Sequence, residues 1–212
     1  MSTKLDIFSD PICPWCYIGK SRLEAALEAR PEHPFVIEWH PFMLNPSMPP
    51  EGMDRREYLE AKFGPPEGVL KAYMPIQEAA DADGLPLELA KISRTPATLD
   101  AHRLIHWAGL EGRQNAVVNA LFRAYFTQGQ DISEHMVLTE IAAKAGLDGA
   151  MVAQLLAGDN DKQDIRARDA EIRERGMQGV PGFIIGRKYV VSGAHPAEFW
   201  TQVIDDIAAA SR

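Results

Sequence analysis

The chain begins with the pattern of a strand, a helix and a second strand. Residues Lys4 to Phe8 alternate in polarity and end at Ser9-Asp10-Pro11, where the proline disfavours helix at the residue before it. Apolar residues then recur at helical spacing as far as Pro31. Phe35 to Phe42 is rich in β-branched and aromatic residues, which predicts the second strand.

Helical patterns dominate the middle of the chain. Three prolines make the segment from Asn45 to Glu51 an irregular connection, and glycines and prolines separate the helices that follow it. The predicted helices are Arg55 to Phe63, Glu67 to Ala82, Leu99 to Leu110, Gln114 to Thr127, Met136 to Ala145, Ala150 to Ala157 and Lys162 to Arg175. No strand is predicted between them.

Strand patterns return near the C-terminus. Gly179 to Gly186 has the composition of a short buried strand, and Lys188 to Ser192 follows it after a tight turn, so the two predict a hairpin. Pro196 to Ala210 has apolar residues at helical spacing and predicts a final helix. The predicted order is therefore βαβ, a run of helices, and ββα.

Composition and charge exclude several classes of protein. The chain has 212 residues, of which 46% are hydrophobic and 25% charged, as in ordinary globular proteins. Its net charge of -8 argues against binding to nucleic acid or an anionic membrane, because such partners select a basic surface. No stretch approaches the roughly 20 apolar residues that span a bilayer. The N-terminus lacks the pattern of a secretory signal, so we expect a cytoplasmic protein.

The chemistry is expected at the two cysteines, Cys13 and Cys16, which are the only ones in the chain. They follow the first strand and open the first helix, where unpaired N–H groups and a partial positive charge stabilise a thiolate. Such positions lower the pKa of a thiol from about 8.5 to between roughly 3.5 and 7.5. Cys16 lies one turn later, where it can attack a mixed disulfide formed at Cys13.

Two other interpretations of the cysteines are open at this point, a zinc site and an incidental pair. A closed zinc site needs four ligands, and no second cysteine pair exists, so histidines would have to complete it. His102 and His106 are four residues apart on one helix face, a spacing that can hold a metal ion. Without a third ligand nearby, a polar contact between domains is the simpler interpretation, and no metal site is predicted.

Three segments give the chain a specific resemblance. Ser9 to Gly19, Thr98 to Leu104, and Gly179-Val180-Pro181 with Ser192-Gly193-Ala194 occur in the order found in the DsbA-like thioredoxin family. They resemble most closely its FrnE-type cytoplasmic dithiol–disulfide oxidoreductases. The resemblance covers the full length of the chain.

The resemblance implies an α/β fold, a thioredoxin-like βαβ…ββα arrangement with a large α-helical insertion. Residues 1–44 and 178–212 would form the thioredoxin-like domain, and residues 45–177 the helical insertion domain. Cys13 would be the nucleophile and Cys16 the resolving thiol, with Pro14 and Trp15 between them as supporting residues. Val180-Pro181 would be the cis-proline loop, whose backbone pairs with substrate as an added strand.

The implied function is thiol–disulfide exchange with protein, peptide or small-molecule thiols. Glutathione is a candidate co-substrate, no other cofactor is expected, and the protein is expected to be a monomer or a homodimer. The same branch is related to 2-hydroxychromene-2-carboxylate isomerases and kappa-class glutathione transferases, which carry serine where this chain has Cys13. The cysteine favours redox chemistry, and a glutathione-dependent isomerase or transferase and a chaperone-like binding protein are the alternatives.

Two features of the site are left open by the sequence. Many thioredoxin-fold proteins have a buried acid on the first strand where this chain has Ile7, so the proton acceptor for Cys16 is not identified. Asp10 and Glu38 are nearby acids, but a turn cap and a strand-face carboxylate explain them equally well. Trp15 fits either an exposed contact for a partner or a lid that packs on the helical insertion.

Overall fold

The computed structural model describes residues 2–210, in which the strands and helices alternate much as the sequence pattern predicts. The strands are β1 (Thr3–Ser9), β2 (Phe35–Pro41), β3 (Met53–Asp54), β4 (Arg94–Thr95), β5 (Gly182–Ile185) and β6 (Tyr189–Ser192). The helices are α1 (Pro14–Ala29), α2 (Arg55–Phe63), α3 (Pro66–Ala82), α4 (Leu99–Leu110), α5 (Gln114–Phe126), α6 (His135–Lys144), α7 (Gly149–Ala157), α8 (Lys162–Glu174) and α9 (Ala197–Ala210). A short 3-10 helix covers Leu89–Lys91.

The central sheet has four strands in the order β2-β1-β5-β6. β1 and β2 are parallel, with Thr3 opposite Phe35, because α1 returns the chain to the starting edge between them. β5 is antiparallel to β1, with Leu5 opposite Ile185, and β6 continues as an antiparallel hairpin. This is the thioredoxin-like arrangement, so the predicted fold class is confirmed.

One face of the sheet forms the centre of the core. Leu5 and Ile7 point to this face, whereas Asp6 and Phe8 point to the other one. α1 packs against α9 over the first face. Trp200 of α9 is fully buried, and its ring lies 4.6 Å from that of Phe183 in an edge-to-face contact. The helix that carries the cysteines is therefore fixed on the sheet by its apolar side.

The helices between β2 and β5 share this core with the sheet. The main hydrophobic cluster continues from β1 through α1 into α4, α5 and α6. Tyr17 of α1 stacks on Phe126 and Phe122 of α5, with ring centroids 5.3 Å and 5.5 Å apart. The first turns of α1 are consequently enclosed between the sheet and the inserted helices.

The predicted helices of the middle segment agree with the observed ones to within one residue at each end, but the short strands β3 and β4 and the 3-10 helix were not predicted. β3 and β4 form a separate two-stranded antiparallel sheet, with Met53 opposite Thr95, where only helices were predicted. Two residues are too few to produce an alternating pattern. No helix within residues 2–210 is both long and apolar enough to cross a membrane.

Candidate active site

Cys13 occupies the N-cap of α1, and Pro14 is the first residue of the helix. The Cys13 N–H donates to the Asp10 carbonyl at 2.9 Å, which closes the loop after β1 into a turn. The Cys13 carbonyl accepts from the N–H groups of Cys16 and Tyr17, at 3.1 Å and 3.2 Å. Proline suits this position because it has the helical φ and no N–H to leave unpaired.

Both cysteines are free thiols, and both are buried. Cys13 is 4% exposed and Cys16 is 1% exposed, so Cys16 lies deeper. Burial is the main cause that raises the pKa of Cys16 well above its usual value, and the neighbouring Cys13 raises it further. Hydrogen bonds from the backbone N–H of Asp10 and the Ser9 hydroxyl act in the opposite direction. Cys16 is therefore a protonated thiol at neutral pH.

The loop before β5 lies against the Cys13 sulfur. The Val180–Pro181 peptide bond is cis, and the Cys13 thiol donates to the Val180 carbonyl at 3.7 Å. The Pro181 carbonyl accepts from the Gly193 N–H at 2.8 Å. At Gly19 of α1, a β-carbon would lie 3.1 Å from the Pro181 ring. Glycine at position 19 thus allows α1 to approach the loop closely.

Trp15 is half-buried and packs on the helical insertion. Its partners are Ile18 of α1 with Ile76 and Ala80 of α3, a small cluster that also includes Tyr73. Of the two interpretations of this residue, the structure agrees with the lid and not with the exposed contact.

Asp10 is fully buried. It begins the turn of residues 10–13, called the cysteine turn below, that leads to Cys13. Its carboxylate accepts from the N–H groups of Ile12 at 3.3 Å and Leu44 at 2.6 Å, and from the Thr98 hydroxyl at 3.4 Å. Burial raises the pKa of Asp10 to about 7, although these hydrogen bonds favour the charged form. One side chain thus connects the active-site turn to the chain after β2 and to the start of α4.

His102 of α4 faces the same carboxylate. Its Nε2 lies 3.9 Å from Asp10 Oδ1 and has no hydrogen-bond partner among the described residues. Burial lowers the pKa of His102 to about 4, so the imidazole is neutral. The sequence left Asp10 open between a proton acceptor and a turn cap, and it predicted a contact between domains for His102. The resemblance singled out the segment from Thr98 to Leu104, but the sequence did not show that Thr98 and His102 lie beside Asp10.

The other polar residues of that segment stabilise the fold. Arg103 is fully buried and donates to the carbonyls of Leu155, Gly158 and Asn160 at 2.6 Å, 3.0 Å and 2.6 Å. It also forms an ion pair with Asp100 at 2.8 Å. Arg103 therefore supplies side-chain donors to carbonyls in and just after the last turn of α7, where the helix itself offers few partners.

His102 and His106 do not meet at a common site. The only group of three potential metal ligands within residues 2–210 consists of Asp6, Glu38 and His40, on the sheet face opposite α1. The Lys4 ammonium already lies 3.0 Å from Asp6 and 2.8 Å from Glu38. The lysine thus occupies the space between the two carboxylates and offsets one of their two charges.

The hydrogen bonds of His40 also disfavour a metal ion at this group. Arg168 donates to His40 Nδ1 at 3.2 Å, so the ring proton is on Nε2 and points to Asp6 Oδ1, 2.6 Å away. A histidine that binds metal through Nε2 needs an acceptor at Nδ1, whereas the arginine is a donor. A second N–H of Arg168 contacts His106 Nδ1, also at 3.2 Å.

A thioredoxin-like sheet with two thiols in the first turn of its first helix defines a dithiol–disulfide oxidoreductase. Residues 4–205 match the DSBA-like thioredoxin domain, and the chain belongs to this family. A probable DsbA oxidoreductase from Streptomyces coelicolor is 34% identical, with a TM-score of 0.86 over 99% of this chain and 91% of that one.

Two further proteins are similar over nearly their whole length. The uncharacterized protein YwbO of Bacillus subtilis (strain 168) is 28% identical over 211 residues, which are 97% of this chain and 98% of that protein. The cytosolic disulfide reductase DsbM from Pseudomonas aeruginosa, in its structure with GSH, has a TM-score of 0.71 at 20% identity. The match covers 97% of this chain and 99% of DsbM, and it shows the fold alone.

Proposed function

We propose that the protein exchanges disulfides with protein, peptide or small-molecule thiols through Cys13 and Cys16. The observation that carries this proposal is the position of Cys13, at the N-cap of α1 with its sulfur against the Val180 carbonyl. A thiolate formed there has the unpaired N–H groups of the helix in front of it. Cys16 lies behind it and is the less exposed of the two thiols.

In the reducing direction, the Cys13 thiolate attacks one sulfur of the substrate disulfide. A mixed disulfide forms, and the other substrate sulfur leaves as a thiolate that takes a proton from water. Cys16 then loses its proton and attacks the Cys13 sulfur, which releases the second substrate thiol and leaves a Cys13–Cys16 disulfide. Because burial raises the pKa of Cys16, its proton leaves only as the attack proceeds. Oxidation of a substrate dithiol is the reverse sequence.

The backbone at Val180 supports binding of an extended substrate. The Val180 carbonyl lies beside the reactive sulfur, and this position allows it to accept from a substrate N–H in place of the thiol. Pro14 begins the helix and Trp15 packs over it on the insertion. We assign residues 1–44 and 178–212 to the redox domain and residues 45–177 to the helical insertion domain that covers the site.

Glutathione and a cytosolic location fit this function. DsbM, which has the same fold, is named a cytosolic disulfide reductase and was solved with GSH. We propose glutathione as a co-substrate here, in a cytoplasmic protein. An isomerase or transferase of the related type is less well supported, because Cys13 replaces the serine of those enzymes.

The division of roles is tested with Cys16→Ser and Cys13→Ser on a non-reducing gel. Cys16→Ser keeps the nucleophile and loses the resolving thiol. It is therefore expected to accumulate mixed disulfides with a client that contains disulfides, such as insulin. Cys13→Ser is expected to form none. Equal trapping by the two variants contradicts the proposed roles.

The alternatives are separated by turnover. An isomerase or transferase would keep glutathione-dependent activity in Cys16→Ser, whereas a disulfide exchanger loses catalytic turnover in that variant. A chaperone-like protein would bind an unfolded client equally well after both thiols are replaced by serine. Loss of disulfide exchange in both single variants, with folding intact, agrees with the proposed function.

A further inference from the structure

A large cavity lies on the sheet face opposite α1, away from the cysteines. Its volume is about 1170 Å³, and the sheet, the loop between α4 and α5, and α8 enclose it. Ligand cavities in proteins have volumes of roughly 300–1,000 Å³, so this one has room for a small organic molecule. Among residues 2–210, those that line it include none from α1 or from the Val180–Pro181 loop. The cavity is therefore separate from the site of disulfide exchange.

The carboxylates of this cavity already have cationic partners. Four arginines and three carboxylates line it, although the chain as a whole has a net charge of -8. Asp6 and Glu38 both contact the Lys4 ammonium, at 3.0 Å and 2.8 Å. Glu171 contacts Arg175 at 2.6 Å. The remaining arginines therefore give the cavity an excess of positive charge.

These remaining arginines are Arg113, Arg168 and Arg187. Within the part of the chain that the structure describes, none of them has a carboxylate at hydrogen-bond distance, and the nearest to Arg168 is Asp164 at 3.9 Å. A guanidinium without a carboxylate attracts an anion, and its planar fork matches the two oxygens of a carboxylate. The charge of the cavity thus favours an anionic ligand.

Arg168 is held at the wall of the cavity by two histidines. Its two terminal nitrogens donate to His106 Nδ1 and to His40 Nδ1, each at 3.2 Å. Because Nδ1 of His106 accepts, the ring proton is on Nε2, and this N–H has no hydrogen-bond partner among the described residues. Both Arg168 and His106 line the cavity. Together they offer a fixed cation and a neighbouring N–H donor to one anionic group.

Other parts of the lining are apolar and exposed. Leu110 at the end of α4 is 73% exposed, and Val36 of β2 is 57% exposed. Phe8 of β1 and Ile184 of β5 line the same cavity from the sheet. Removing such surfaces from water is favourable, so a ligand with an apolar part gains free energy by covering them.

We propose that this cavity binds a small amphipathic carboxylate. The carboxylate accepts from Arg168 and His106, while the apolar chain or ring of the ligand covers Leu110 and Val36. The excess positive charge selects an anion over a cation, and the exposed apolar side chains select against a wholly polar anion such as inorganic phosphate. This binding site is additional to disulfide exchange and does not depend on it.

The test compares two fluorescent probes of the same ring system. 8-Anilinonaphthalene-1-sulfonate is an aromatic anion, and N-phenyl-1-naphthylamine lacks its sulfonate. Arg168→Gln is expected to bind the anionic probe about tenfold more weakly than the wild type, and the neutral probe within about twofold. Arg56→Gln, which changes an exposed arginine of α2 outside the cavity, is the matched control and keeps both affinities. An unchanged affinity of Arg168→Gln for the anionic probe, or an equal loss for both probes, overturns the proposal.

Decanoate tests the preference for a carboxylate. It is expected to displace the anionic probe from the wild type at a concentration about tenfold lower than 1-decanol, which has the same chain without the charge. Equal displacement by the acid and the alcohol contradicts the proposal. Iodoacetamide is expected to alkylate Cys13 at the same rate with and without the probe. A slower rate would place the probe at the cysteines and also overturns the proposal.

Leu110→Glu keeps the test decisive if Arg168→Gln does not fold, because this exposed side chain can change without disturbing the core. The added negative charge is expected to weaken binding of the anionic probe about tenfold. Met136→Glu, at an 80% exposed residue of α6 outside the cavity, is the control and keeps the wild-type affinity. Equal affinities in these two variants contradict the proposal. A dimer in sedimentation equilibrium, with probe affinity that falls as protein concentration rises, would show that a second copy of the chain covers the cavity and overturns it too.

Discussion

At the scale of single residues, burial decides which groups of the active site are charged. Cys16, Asp10 and His102 are all nearly inaccessible, and in each case burial is the largest cause of the pKa shift. The shifts of Asp10 and His102 change the pH dependence of stability in opposite directions. Burial keeps the proton on the acid and removes it from the base.

These two residues predict opposite changes in the pH dependence of stability. Between pH 4 and pH 7, folded Asp10 keeps a proton that the unfolded chain releases, so its contribution falls as the pH rises. Relative to the wild type, the unfolding free energy of Asp10→Asn is expected to rise by about 4 kcal/mol across this range. Urea unfolding at several pH values measures the difference.

His102→Leu is the counterpart of that variant. Folded His102 stays neutral down to about pH 4, whereas the unfolded chain binds a proton near pH 6.5, so its contribution rises with pH between these values. Removing it is expected to lower the stability relative to the wild type by about 3 kcal/mol from pH 4 to pH 6.5. The same slope in both variants would contradict these assignments.

At the scale of elements, α1 lies close to the loop before β5 because it has a glycine at the contact. In Gly19→Ala the new methyl carbon meets the Pro181 ring at 3.1 Å, so α1 and the loop are expected to separate slightly. We expect a loss of about 1–3 kcal/mol in stability and slower disulfide exchange. Gly179→Ala is the control, because a β-carbon there has no atom within 4 Å. Equal activity in the two variants would show that this contact does not matter.

The helices of the insertion depend on Arg103 of α4, whose guanidinium lies at the end of α7. Arg103→Met keeps most of the volume but removes this donor from the Gly158 and Asn160 carbonyls and one of two donors from the Leu155 carbonyl, so we expect stability to fall by about 3 kcal/mol. Arg56→Met is the comparison, because Arg56 is exposed and pairs only with Glu60 on the same helix, and its loss is expected to cost less than about 0.5 kcal/mol. Chemical denaturation measures the unfolding free energy of both variants. Similar losses in the two would argue against the role of Arg103.

At the scale of the whole molecule, the sheet and the inserted helices share one main core. Leu5 of β1 and Leu121 of α5 are both fully buried in the same hydrophobic cluster. We therefore expect a single unfolding transition, coincident by near-UV and far-UV circular dichroism. Leu5→Ala and Leu121→Ala are each expected to shift that transition by about 2–5 kcal/mol. Two separate transitions, each sensitive to one variant, would show independent domains.

Local patterns determined most of the fold and the position of the reactive thiols. Alternation and helical spacing are properties of neighbouring residues, and they placed the central strands and helices within a few residues of their ends. The cysteine pair could be predicted to be reactive for the same reason. Its chemistry depends on the end of a strand and the start of a helix, which are both local features. The short strands β3 and β4 escaped prediction, since two residues contain no period.

The resemblance implied that the Val180-Pro181 loop lies at the site, but the periodicity of the sequence could not show what surrounds the thiols. Val180 is 167 residues from Cys13 along the chain and Thr98 is 88 residues from Asp10, so no local pattern reports either contact. The sequence could not decide between a turn cap and an active-site acid for Asp10, because the charge state of a carboxyl depends on its access to water. Only packing by β2, α4 and the cysteine turn removes that water, and this burial makes Asp10 a group that titrates near neutral pH beside the dithiol.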